Sequence, residues 1–181
     1  AAAQLAGRLG HKEDSIRFYE VSMNYKRLYD RRVNVMRALD MKGEFRPLPE
    51  NFNPNQQTRD YTEGNPWQYT FLVPHDVKGL AEVMGGDKAL EQRLDDLLAA
   101  SSDLGEGAAL DISGLIGQYA HRNEPSHHIL YMYNYVGQPR KAQKWIRQVM
   151  DELYTDQPAG LCGNEDVGQM SAWYIMSALG F

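Results

Sequence analysis

The sequence predicts an all-α fold, an α/α toroid, with a small β-hairpin near residues 33–48. Three observations lead to that fold class. Segments with apolar residues at helical spacing follow one another along most of the chain. Prolines open several of them and glycines close them, the asymmetry expected of helix termini. Segments apolar on nearly all sides, HHILYMYNYV and MSAWYIMSAL, alternate with one-sided segments, KALEQRLDDLLAA and RKAQKWIRQVMDEL. Helices of the first kind belong inside and those of the second kind outside, which gives two concentric layers. A single-layer repeat array is the competing arrangement, and no fixed-period repeat supports it.

The elements follow in order. Residues 2–9 end a helix at Gly10, and residues 12–29 place Ile16, Tyr19, Met23 and Leu28 at roughly helical spacing. VNVMRALDMKGEFRPL, residues 33–48, breaks that rhythm, and MKG between short apolar runs predicts the hairpin. The polar loop PENFNPNQQTRD is of a length that in compact domains is functional or disordered. Helices resume near residue 65 with the buried-type segment WQYTFLV. PHDVKGLAEVMGG has Pro74 near its first turn and stops at Gly85–Gly86; DKALEQRLDDLLAASS takes Asp87 as its N-cap. The loop DLGEGAALDISG leads into LIGQYAH. PSHHILYMYNYVG reads as one helix from Pro125 to Gly137, and PRKAQKWIRQVMDELY begins with Pro139 at its first position. After TDQPAGLCGNED the last helix is GQMSAWYIMSALG.

The 181 residues suit one helical domain or a piece of a larger one. A net charge of -5 gives no basic footprint for nucleic acid. No stretch approaches the ~18–20 apolar residues of a membrane span, and AAAQLAGRLG reads as a helix end rather than a signal peptide. The single cysteine, Cys162, excludes an internal disulfide and a cysteine-based zinc site. Eleven tyrosines and three tryptophans offer flat apolar faces with polar edges, which suit both ordinary core packing and sugars.

Three loops carry acids at the start of an apolar helix: DYTEGNPWQY with Glu63, AHRNEPSHH with Glu124, and CGNEDVGQMS with Glu165 and Asp166. If those helices run the same way, the four acids gather with His121, His127 and His128 around one cavity. Helix capping is the plain alternative, since Asp166 and Gln169 fit a capping box and acids at an N-terminus suit the helix dipole. The adjacent histidines lack the i, i+4 spacing of helical zinc ligands. Paired carboxylates beside Trp67, Tyr69, Tyr131 and Trp173 suit glycosidic bond cleavage, in which one acid protonates the leaving oxygen and another activates water. Asn123, Glu124 and Asp166 are hard oxygen ligands of the kind calcium prefers.

YTEGNPWQYTFLVPHDV, HRNEPSHHILYMYNYVGQP and GNEDVGQMSAWYIMSALGF, in this order, closely resemble glycoside hydrolase family 92, calcium-dependent exo-α-mannosidases that invert anomeric configuration. The resemblance implies Glu63 as general acid and Asp166 as general base. It implies Trp67, Gln68, His121, Arg122, Glu124, His127, Asn164 and Glu165 as substrate contacts. It also implies a Ca2+ ion on Asn123, Glu124 and Asp166, which engages mannose hydroxyls. Two positions depart from the family pattern. Asn164 stands where some relatives have a first aspartate, and Arg122 stands where glycine or glutamate is common. The resemblance further implies mannose-containing glycans as substrates, α-1,2 linkages among them, and a secreted, periplasmic or cell-surface location. It implies that this chain is an incomplete portion, part of an (α/α)6-like catalytic domain, with an N-terminal β-sandwich domain outside this sequence. An isolated helical segment is then expected to be weakly active or inactive and to self-associate through exposed helix faces. The alternative is a non-catalytic helical domain that binds carbohydrate or serves structure.

Overall fold

The structure is a computed structural model and describes residues 1–105 and 113–181. Part of the glycine-containing loop expected at 103–114 therefore lies outside the described residues.

Helices α1 (Ala2–Arg8) and α2 (Lys12–Ser22) pack on each other through a turn at Gly10, whose φ of 84° suits glycine. The Ser15 hydroxyl donates to the Ala3 carbonyl at 2.8 Å and ties the pair. The helix expected over 12–29 stops early. The Ser22 hydroxyl bonds back to the Tyr19 carbonyl at 2.6 Å, and a single 3-10 turn follows at Asn24–Arg27. Tyr29 and Asp30 then leave helical geometry for strand β1 (Tyr29–Asp30), antiparallel to β2 (Val35–Met36) with Tyr29 opposite Met36. The expected apolar face of α2 is not covered: Ile16 and Tyr19 are exposed.

A buried ion pair fixes the hairpin. Asp30 accepts from the Arg32 backbone and guanidinium and from Arg37 Nη1 at 2.6 Å. These partners, Arg32 foremost, hold its carboxyl well below the usual carboxylate range despite burial. Arg37 Nη2 also donates to the Arg46 carbonyl at 2.6 Å, which draws in the loop beyond the hairpin. A second antiparallel bridge joins Leu39 and Phe45 around the MKG turn. The hairpin expected at 33–48 around MKG is thus a single bridge, and the two-stranded ladder lies just before it, at 29–36.

Helices α3 (Pro66–Thr70), α4 (Val77–Met84) and α5 (Asp87–Ala99) follow. The Asn65 side chain accepts from the Trp67 amide while Gln68 Oε1 accepts from the Asn65 amide, a reciprocal cap for α3. Asp76, rather than anything at Pro74, starts α4; its carboxylate accepts from the Gly79 amide at 3.0 Å and from the Tyr25 hydroxyl at 2.7 Å. Gly86 takes the N-cap position of α5 that was expected for Asp87, because Gly85 and Gly86 both hold φ above 110° and turn the chain first. Asp87 is the first helical residue and pairs with Lys78 at 3.1 Å.

LIGQYAH forms an antiparallel hairpin, β3 (Leu115–Ile116) with β4 (Tyr119–Ala120). Its turn residue Gly117 has φ 59°, and a Cβ there would collide with the Leu97 and Leu98 carbonyls, so the hairpin seats directly on the end of α5. The single helix expected from Pro125 to Gly137 is broken into 3-10 turns at Glu124–Ser126 and Ile129–Tyr131 and a short α6 (Met132–Tyr135). The break follows from side chains drawn to separate anchors. His127 bonds the His121 carbonyl and His128 bonds the Phe71 carbonyl, and tertiary demands of this kind override local propensity. Helix α7 (Pro139–Glu152) begins at its proline as expected, and α8 (Gln169–Leu179) closes the chain.

The core lies among α3 to α7. Phe71, Leu80, Leu90, Leu94, Leu97, Ile129, Leu130, Tyr133 and Val149 are fully buried there. Helix α8 adds only Met170 and Trp173, and its Ile175, Met176 and Leu179 remain exposed, so this chain does not enclose it. Leu94→Ala should cost about 2–5 kcal/mol in denaturant unfolding, because a fully buried Leu leaves a cavity. Ile16→Ala should stay within about 0.5 kcal/mol of the parent. Equal costs at the two sites would contradict this placement of the core.

Candidate active site

Three loops build the site. The first carries Glu63 with φ 53°, a left-handed backbone in a residue other than glycine. The Tyr69 hydroxyl bonds both the amide and the carbonyl of Thr62, each at 2.9 Å, and so braces this turn from α3. The second loop leaves β4 and carries Arg122, Asn123 and Glu124. Asn123 Nδ2 donates to the Glu63 carbonyl at 3.1 Å and joins the first two loops. The third loop holds Asp166, Val167 and Gly168 in succession at φ 45°, 61° and 92°. Its Gly163 lies so close to the second loop that a Cβ would be 2.6 Å from Arg122 Cβ.

Glu63, Arg122, Asn123, Glu124, Asn164 and Asp166 line one polar cavity of about 460 Å³. Gln57 lines it as well; sequence reasoning missed this residue, for which the only signal is its place in an amide-rich loop. A smaller recess of about 230 Å³ shares Glu63 and Asn123 and adds Gln68 and Tyr69. Burial, with Asp166 and Glu63 nearby, pushes the Glu124 carboxyl above its ordinary range. Glu124 Oε1 is buried and has no hydrogen-bond partner among the described residues.

Other expected site residues lie beside or beneath the cavity. The Glu165 carboxylate turns away and accepts from the Ser171 amide at 3.0 Å and the Ser171 hydroxyl at 2.9 Å. Glu165 therefore serves the start of α8, where Asp166 was expected to do so. Gly168 is the N-cap residue, and the left-handed backbone at Asp166 leaves that carboxylate at the cavity. Trp67 is buried, donates Nε1 to Asn55 Oδ1 at 2.8 Å, and carries the Arg93 guanidinium 4.3 Å from its ring centroid. Gln68 spends its amide on the α3 cap and on the Gln118 carbonyl.

The expected convergence of His121, His127 and His128 on the cavity does not occur. His121 is fully buried between the hydroxyls of Tyr119 and Tyr154, and burial, with His127 nearby, drops its pKa to about 3. His127 and His128 are also pushed down by burial, and both bond backbone carbonyls. All three stay neutral near pH 7 and brace the loops from below. Among the described residues no group of three or more His, Cys, Asp or Glu side chains could hold a metal ion unaided.

A helix-rich frame thus presents carboxylates from three separate loops to one polar cavity. The sequence matches the Glycosyl hydrolase family 92 catalytic domain over residues 1–181, and the chain belongs to that family. It is similar to a family GH92 alpha-mannosidase of Bacteroides thetaiotaomicron solved with mannoimidazole. The two are 41% identical with a TM-score of 0.87, over 99% of this chain and 24% of that one. A family GH92 inverting mannosidase of Bacteroides thetaiotaomicron VPI-5482 is 38% identical with a TM-score of 0.79, over 99% of this chain and 25% of that one. An uncharacterized secreted glycosidase of Arthroderma benhamiae is 29% identical over 118 residues, 65% of this chain and 13% of that protein. The chain thus spans about a quarter of the length of the solved relatives. The helix-rich architecture with its small antiparallel hairpins matches these solved family GH92 structures, as expected for part of an α/α toroid.

The raised Glu124 carboxyl has a stability consequence. A folded-state pKa above the ordinary 4.5 favours the protonated form, so this group's contribution is fully present below pH 4.5 and is lost as pH rises through the raised value. With EDTA present, Glu124→Gln should melt higher than the parent at pH 7, and the gap should close toward pH 4.5. A gap that is constant or reversed across thermal melts in that range would refute the assignment.

Proposed function

We propose that this chain is part of a calcium-dependent exo-α-mannosidase that releases terminal α-linked mannose, with α-1,2 linkages among its substrates, and inverts the anomeric configuration. The observation that carries this reading is the entry of Glu63, Glu124 and Asp166, from three distant segments, into one cavity of about 460 Å³. Similarity to solved mannosidases supports the substrate class, and family membership supports hydrolysis.

Glu63 gives its proton to the glycosidic oxygen as the bond to the anomeric carbon breaks. Asp166 takes a proton from the water that attacks the opposite face of the ring. The two acids come from different loops, and the Asn123 bond to the Glu63 carbonyl holds the acid's loop in place. Glu124 adds a third carboxylate that keeps protons in the cavity more readily than in water.

Calcium fits the residues present. Glu124 Oε1 is buried without a partner among the described residues, and Asn123 and Asp166 bring further hard oxygens to the same cavity. These three residues would hold the ion, with its remaining ligands from water, sugar hydroxyls or residues outside this segment. When bound, the ion would supply a fixed positive charge that orients the sugar's hydroxyls. In this reading a β-sandwich elsewhere in the polypeptide completes the site. The isolated segment is then weakly active or inactive, and it self-associates through the exposed face of α8. Similarity to a secreted glycosidase supports a secreted, periplasmic or cell-surface location, and among the described residues no helix is long and apolar enough to cross a membrane.

The test uses the full-length gene product and an α-1,2-linked mannobiose. Early NMR spectra should show β-mannose as the first product, EDTA should stop the reaction, and calcium should restore it. Glu63→Gln and Asp166→Asn should each lower kcat/KM by about 10²–10⁴. The Glu63→Gln loss should shrink for leaving groups that need no proton. First-formed α-mannose, or full activity in EDTA, would overturn the proposal.

A further inference from the structure

The structure assigns His121 and Tyr154 as positioning residues that hold the Asp166 loop at a set distance from Glu124 through a one-way chain of hydrogen bonds. The assignment rests on the reading of Asp166 and Glu124 as cavity residues of a hydrolase. Its direction follows from bond accounting. The Tyr154 hydroxyl donates its only proton to the Met170 carbonyl at 3.1 Å. Its oxygen lies 2.7 Å from His121 Nε2 and must therefore accept, which puts the imidazole proton on Nε2. His121 Nδ1 is then bare and accepts from the Tyr119 hydroxyl at 2.8 Å. The chain runs from Tyr119 through His121 and Tyr154 to Met170, and only one imidazole tautomer satisfies it.

Two of its members, His121 and Met170, lie where position counts. His121 is three residues before Glu124, and Met170 is four residues after Asp166. Tyr119, His121 and Met170 are fully buried and Tyr154 is half-buried, so a lost link leaves polar groups with little access to water. The Tyr154 and Trp173 rings lie nearly parallel, 5° apart, and Trp173 Nε1 donates to the His127 carbonyl. The aromatic packing can therefore stay in place when the Tyr154 hydroxyl alone is removed. Neutral, buried and fully bonded, His121 acts on the reaction through the loops it joins.

The test is Tyr154→Phe in the full-length gene product, read by steady-state kinetics and by hydrogen exchange. The chain predicts faster exchange in residues 163–172, unchanged exchange in α7, and a fall in kcat of about tenfold, with KM within about twofold. His121→Gln, which keeps a donor toward Tyr154, should retain more kcat and more loop protection than His121→Leu. Unchanged exchange at 163–172 in Tyr154→Phe overturns the assignment, as does equal behaviour of the two His121 variants. A loss spread over all helices, with kcat and KM shifted together, marks a purely structural role and also overturns it. If the parent protein hydrolyses no mannoside, the functional reading fails, and exchange at 163–172 still decides whether the chain of bonds holds the loop.

Discussion

Amide groups shut away from water must find hydrogen-bond partners, and the placement of the cavity follows from how Asn65 and Gln118, with the half-buried Gln68, meet that demand. Asn65 Nδ2 donates to Gln118 Oε1 at 2.8 Å, and Gln68 Nε2 donates to the Gln118 carbonyl at 2.6 Å. Gln118 Nε2 in turn donates to the Ser101 carbonyl, and the Gln118 amide to the Leu97 carbonyl. One cluster thus fastens the cap of α3, the end of α5 and the tip of the β3–β4 hairpin. Glu63 lies two residues before Asn65, and the His121–Glu124 segment begins three residues after Gln118. An unmade bond in such a cluster costs about 1–3 kcal/mol, so its geometry is held firmly and passes to both acidic loops.

Apolar and polar contacts divide the work. The leucines of α5 and the aromatic and aliphatic side chains of α3, α4 and α6 settle where helices lie. That packing tolerates small shifts and does not by itself aim a carboxylate. The aiming comes from directional bonds: Asn123 to the Glu63 carbonyl, Tyr69 to Thr62, and Glu165 to Ser171. The same division appears away from the cavity, where the buried Asp30–Arg37 pair rather than apolar contact sets the path of the loop after the first hairpin.

The sequence is most readable where chemistry is local. Pro139 at the start of α7, Gly85 at the end of α4 and the one-sided run of α5 each carry their own signal. The convergence of three acidic loops is readable too, since each precedes an apolar segment, of which α8 buries only Met170 and Trp173. Adjacent residues of like chemistry are not separable in this way. Glu165 and Asp166 differ by one methylene, and which of them serves the helix is settled by a backbone turn that no propensity encodes. The histidines hide for a related reason, because their partners are carbonyls brought close only by folding, such as Phe71 for His128. Gln57 belongs to a loop whose composition does not distinguish it from the amides around it.

Val167 holds φ 61° with its side chain wholly in solvent. A β-branched residue gains nothing from that exposure and bears a conformational cost of about 1–3 kcal/mol. Selection for heat resistance alone would favour glycine or asparagine at this position. Glycine would also widen the range of backbone states next to Asp166, so the variant that survives heating best need not be the one that turns over fastest. In a directed-evolution campaign, position 167 is therefore where screens for thermal endurance and for turnover would diverge.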